Sequence, residues 1–136
     1  MTLQLVDSHC HLDASEFDED RADVVARARA AGVIAQVIPA ITAASWPALK
    51  DTCALAPGLY PAWGLHPMFL DQHAPGDLDT LRDWIERYRP VAVGECGLDF
   101  FVEGLDPDAQ RRYFIGQLEL AREHDLPVII HARRAV

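Results

Sequence analysis

Two histidines placed two residues apart, His9 and His11, are the first residues of the chain with a clear chemical use. On an extended backbone, side chains at i and i+2 leave the same face. Both imidazoles can therefore converge on one ion, at metal–nitrogen distances of about 2.0–2.1 Å. Asp7 shares that face one step deeper and suits an acceptor for an imidazole N–H better than a ligand. Cys10, between the histidines, points the other way. Glu95 ends an apolar run and is flanked by Gly94 and Cys96-Gly97. A carboxylate there is costly to bury unless a positive charge meets it, which one divalent ion, or two sharing it, would do. His131 closes another almost wholly apolar run, where a solvated histidine is not expected. His9, His11, Glu95 and His131 are thus the expected metal ligands, with Glu95 the expected catalytic carboxylate. His66, beside Pro67, is expected to face substrate. Arg133 and Arg134 suit bidentate contact with a phosphate, with one of the two expected to face solvent and Arg133 the expected substrate-binding residue. His73, in a polar loop, and His124, at a helix end, read as structural or solvated.

These residues need elements that bring them to one place. Apolar runs occur at residues 3–6, 33–38, 59–63, 91–93 and 128–130. They are near-continuous rather than alternating, as in parallel strands covered on both faces. Helical patterns lie between them, at 18–31, from Trp46-Pro47 behind a Ser45 cap, at 77–88, and from Pro107 behind an Asp106 cap. The last helix offers Phe114, Leu118 and Ala121 as its expected buried stripe. Trp46, Trp84 and Tyr113 read as packing residues. The order is strand–helix repeated from end to end, at roughly 30 residues per unit. A doubly wound sheet and a (β/α)8 barrel both fit. No GxGxxG or Walker loop follows the first strand, which removes the main support for a nucleotide-binding sheet. Four of the five strands run into site-type residues, and the carboxyl ends of barrel strands are where active sites form.

Composition narrows the functional classes. With 136 residues the chain makes at most one domain. Acidic residues outnumber basic ones by 21 to 12, for a net charge of −9. Proteins that grip duplex phosphates through their overall field are basic, so any nucleic-acid contact here must be local. Cys10, Cys53 and Cys96 show no CxxC spacing and read as reduced thiols of a cytoplasmic protein. No signal peptide and no membrane-length apolar run is expected.

Four segments, DSHCHLD at 7–13, GLHP at 64–67, GECGLDF at 94–100 and PVIIHAR at 127–133, together resemble TatD-type metal-dependent deoxyribonucleases. The resemblance implies a TIM-type (β/α)8 metal-dependent-hydrolase barrel, of which this α/β chain supplies about the first five strands and four helices. Residues 1–136 would be the N-terminal part of a single hydrolase domain. It further implies two divalent ions (Mg, Mn, Zn or similar), one held by His9, His11 and Glu95, the second shared by Glu95 and His131. The implied reaction is phosphodiester hydrolysis of the 3′–5′ exonuclease type by a bridging hydroxide, on single-stranded or 3′-end DNA. The DNA would be held by the metals and local arginines, without any membrane. Two departures accompany the resemblance. The chain is about half the family's length, and the family's later histidine and late aspartate ligands have no counterpart. The alternatives are a small-molecule amide or ester hydrolase on the same scaffold, or a catalytically incomplete metal-binding fragment. Open first and fifth strands would favour self-association.

Overall fold

The computed structural model of the chain describes residues 3–136. Each apolar run becomes a parallel strand and each amphipathic segment the helix that carries the chain to the next. In order these are β1 (Leu5–Asp7), α1 (Arg21–Ala30), β2 (Val33–Pro39), α2 (Trp46–Cys53), β3 (Leu59–Trp63), α3 (Asp77–Arg87), β4 (Ala92–Asp99), α4 (Pro107–Glu123) and β5 (Val128–Arg133). Short 3-10 turns at Ser15–Phe17, Ala43–Ser45 and Pro67–Gln72 fill the connections.

The sheet order is β1-β2-β3-β4-β5, and every neighbouring pair is parallel. A doubly wound sheet reverses its strand order at a switch point. This sheet never does, which leaves the barrel. It is also curled. The Ala40 N–H, just past β2, points to Ala62 O at 2.9 Å and to Gly94 O at 3.2 Å, while Glu95 N donates to Ala40 O at 3.1 Å. The end of β2 therefore reaches β4 across β3. In a flat sheet β1 and β4 would stand about 14 Å apart. Curling lets the side chains beyond β1 meet those of β4, and the five strands form about half of a TIM-type barrel.

The local reasons are legible at several ends. Gly32 stops α1 with φ +97°, a conformation open to glycine. The Asp106 side chain accepts Asp108 N–H at 2.9 Å, and Pro107 takes the first helical position of α4. Ser45 does not cap α2. Its hydroxyl donates to Thr42 O at 2.7 Å and accepts from Thr42 N at 3.3 Å, closing the 3-10 turn that precedes the helix. Helix α1 starts later than expected. Arg21 instead gathers the loop before it, donating to Leu12 O, Ala14 O and Asp18.

The core joins Ile38, Trp46, Leu49, Trp63, Leu81, Ile85, Val93 and Leu120. Each such side chain contributes roughly 1.5–3 kcal/mol on burial. Trp84 sits between Trp46 and Trp63, with ring centroids 6.0 and 5.8 Å away, as a packing residue should. The expected stripe of α4 holds only in part: Ala121 is buried, but Leu118 is 37% exposed, and the buried face also takes Gln110, Gln117 and Leu120. Two buried glutamines replace apolar residues because that face meets backbone groups of Leu65, just past β3, and of Asp99, at the end of β4. No helix among the described residues is long and apolar enough to cross a membrane.

Candidate metal centre

The carboxylate of Glu95, 5% exposed, lies where the curled strands converge. The chain passes from β1 through Asp7 into His9 and His11, whose Nε2 atoms stand 3.3 Å apart. Glu95 Oε2 is 3.0 Å from His9 Nε2 and 3.4 Å from His11 Nε2. Donor atoms bound at about 2.0–2.1 Å in a tetrahedral shell lie about 3.3 Å from one another. This trio has that spacing. Between them, Cys10 turns away as expected: its thiol receives Gln36 Nε2–H at 3.6 Å, and its N–H donates to Val37 O.

A second group faces the other carboxylate oxygen. His131 Nδ1 is 3.2 Å and His66 Nε2 3.5 Å from Glu95 Oε1. Both trios could hold an ion by position alone. The tautomers separate them. Asp99, with no solvent exposure, accepts N–H groups of Phe101 and Val102 on Oδ1 and lies 2.8 Å from His131 Nε2 on Oδ2. Burial pushes the Asp99 pKa up, but these backbone and imidazole hydrogen bonds outweigh it and hold it below the usual value. An ionised Asp99 can only accept, so His131 donates from Nε2 and turns the lone pair of Nδ1 toward Glu95. His66 is the reverse case. Its Nδ1 accepts Met68 N–H at 3.1 Å, so the neutral ring carries its proton on Nε2. His66 thus presents an N–H to the site.

Burial likewise drives the Glu95 pKa up, yet hydrogen bonds from His11 and His66 drive it well below the carboxylate range. The same carboxylate raises His11, against its own burial. Every ion pair of Glu95 is to a histidine, and among the described residues no lysine or arginine reaches it. Neutral imidazole lone pairs aimed at a carboxylate repel it unless a proton or a metal ion lies between. The donor set, nitrogen and carboxylate oxygen at these spacings, fits divalent ions on both sides of Glu95, with His9 and His11 as the nitrogen donors on one side and His131 on the other, where His66 adds an N–H.

The structure brings His9, His11, Glu95 and His131 together, with His66 among them. Asp7 does not meet an imidazole N–H. Its Oδ1 accepts the backbone N–H of His9 at 3.1 Å, because the chain turns out of the strand there and offers the nearer donor. Arg133 and Arg134 are both exposed and both lie over the Phe101 ring, at 3.7 and 4.9 Å from its centroid. His124 binds Leu120 O and Glu86 on the helices. His73 is not idle: its Nε2 meets His66 O at 2.7 Å, and burial lowers its pKa. Asp99 is the functional residue that sequence reading passed over. Its signal was present, since Glu95, Gly97 and Asp99 alternate along one strand. Gly97, at φ +142°, is needed for that alignment, because a Cβ there would collide with the His131 carbonyl oxygen.

A curled parallel half-barrel with imidazoles and a shared carboxylate at its carboxyl end defines the class of barrel metal-dependent hydrolases. The sequence matches the family described as TatD related DNase over residues 6–136, and the chain belongs to that family. It is 40% identical to the uncharacterised metal-dependent hydrolase YjjV of Escherichia coli K12, over 98% of this chain and 52% of that protein. The crystal structure of YjjV superposes with a TM-score of 0.92 at 38% identity, again covering 98% of this chain and 52% of the other. Human deoxyribonuclease TATDN3 is 37% identical over 96% of this chain and 53% of its own length. The 3′-5′ ssDNA/RNA exonuclease TatD of Pantoea sp. is 36% identical over 96% and 51% respectively. The chain spans about half the length of these relatives.

Proposed function

We propose that the protein is a divalent-metal-dependent phosphodiesterase that removes nucleotides from a DNA 3′ end. The observation that carries this reading is the buried Glu95 carboxylate facing histidine groups on both oxygens. Bound ions would supply a water of lowered pKa and positive charge for the phosphoryl transition state. The chain's own residues do the rest. His9 and His11 converge on one carboxylate oxygen, and His131 turns Nδ1 to the other. The Nε2–H of His66 is available to a phosphoryl oxygen. In hydrolysis the water oxygen bonds to phosphorus and the P–O3′ bond to the remaining strand breaks, the strand's 3′ oxygen taking a proton, so the terminal nucleotide departs with its phosphate. A protein of net charge −9 repels duplex phosphates at a distance, so binding rests on contacts at this end, including exposed Arg133. Two of the relatives described above are named as nucleases acting on DNA, which favours a phosphodiester over an amide substrate.

The test uses the full-length protein, a 3′-labelled single-stranded oligonucleotide and a panel of divalent metals. Glu95→Ala should abolish metal-dependent release of 3′ nucleotides, while His124→Ala should leave it within about twofold. Equal activity in the two variants, or hydrolysis of amides and carboxylic esters but not of DNA, would overturn the assignment.

A further inference from the structure

Helix α4 carries two fully buried amides, Gln110 and Gln117, 1% and 0% exposed, that the reaction itself does not use. They are seven residues apart, two helical turns and about 10.5 Å along the axis, on one face. Each amide grips both backbone groups of a single residue. Gln117 Oε1 accepts Leu65 N–H at 2.8 Å, and its Nε2 donates to Leu65 O at 3.2 Å. Gln110 Oε1 accepts Asp99 N–H at 2.7 Å, and its Nε2 donates to Asp99 O at 2.8 Å. Leu65 lies beyond the last paired residue of β3, where no strand remains to bond it. The side chain thus stands in for a neighbouring strand.

The two clamped residues are those next to, or part of, the second group. Leu65 precedes His66, and Asp99 holds His131 in the tautomer that aims Nδ1 at Glu95. The segment of His9 and His11 is held from elsewhere, by Gln36 of β2 at Cys10 and by Arg21 of α1 at Leu12 O, and among the described residues no α4 side chain hydrogen-bonds it. A helix is stiff, so a fixed distance between two amides becomes a fixed distance between the ends of β3 and β4. We infer that Gln110 and Gln117 are positioning residues, through which α4 sets the geometry of the His66–Glu95–His131 group and leaves the His9–His11–Glu95 group unaffected. The inference rests on the metal-centre reading above.

The test compares the full-length wild type with Gln110→Met, Gln117→Met and the double variant, which keep volume and remove the hydrogen bonds. Leu120→Ala, on the same helix and in the core, serves as the purely structural control. Zinc titrations against a competing chelator read the two affinities, and NMR of the metal-free proteins reads the His131 Nε2 proton. Gln110→Met should weaken the second site about 10- to 100-fold, the range for lost support of a ligand, and Gln117→Met, which loosens the segment of the neighbouring His66 N–H, should weaken it less. The other site should stay within about twofold. In the metal-free protein the Nε2 proton signal should shift or broaden in Gln110→Met. Leu120→Ala should lower Tm at least as much yet leave both affinities and that proton unchanged. Equal weakening of both sites, an unmoved second site, or the same pattern in Leu120→Ala would overturn the positioning role. A wild type that binds no zinc would overturn the metal reading instead, and the NMR comparison would then decide the clamp by itself.

Discussion

The two sides of Glu95 are built by opposite means. His9 and His11 come from one short segment and have side chains 39% and 35% exposed. His66 comes from the turn after β3 and His131 from β5; they are 8% and 18% exposed, with one ring proton or lone pair already committed to Met68 N–H or Asp99. The first group needs little more than local backbone geometry. The second needs β3, β4 and β5 in register and a carboxylate behind the imidazole. An exposed local pair tolerates disturbance elsewhere in the fold, whereas a group assembled at long range transmits it.

The largest effect should follow from removing what the sides share. Glu95→Ala should eliminate tight binding on both, read as metal stoichiometry after dialysis; retention of one ion would show that the sides are independent of it. Next, His131→Ala should empty the second site and spare the first. Loss of both ions would merge the two groups into one.

Asp99→Asn sharpens the contrast further. The asparagine oxygen still serves Phe101 and Val102, so its NH2 faces His131 Nε2. The ring must then accept there and carry its proton on Nδ1, pointing a donor at the site. Second-site affinity should fall about 10- to 100-fold with the first site unchanged, and an unaltered second site would refute the tautomer argument.

A smaller effect concerns the packing behind the exposed pair. Burial, with Asp13 and Cys10 adding to it, pushes the Cys53 thiol up to about 12. Because the folded state favours the protonated thiol, its contribution to stability is present below pH 9.0 and is lost as pH rises toward 12. Alkylation of Cys53 at pH 8 should therefore be far slower in the folded protein than in urea. Equal rates would mean that the wall behind His9 and His11 is wet.

Much of this was legible beforehand, and the failures share a cause. β3 was read at residues 59–63 as it stands, and the Asp106-Pro107 start of α4 follows from capping chemistry. β4 was read too short, at 91–93, because glycines and Glu95 end the apolar run although the strand continues to Asp99. The α4 stripe was right at Ala121 and wrong at Leu118, because hydrophobic periodicity is blind to amides that are buried in order to bond backbone. Asp7 failed because its nearest donor is created by the turn after β1.

By itself the sequence determined which residue types could bind metal, that His9 and His11 share a face, and that strands and helices alternate. These depend on bond geometry and on spacing within a few residues. Only the tertiary structure decided that the sheet keeps one order and curls. Only it placed His66 with His131, showed Asp99 choosing the proton position of an imidazole, and revealed α4 gripping two strand ends. Those outcomes depend on distances between residues far apart in the chain, and on which buried donor finds which acceptor once water has been excluded.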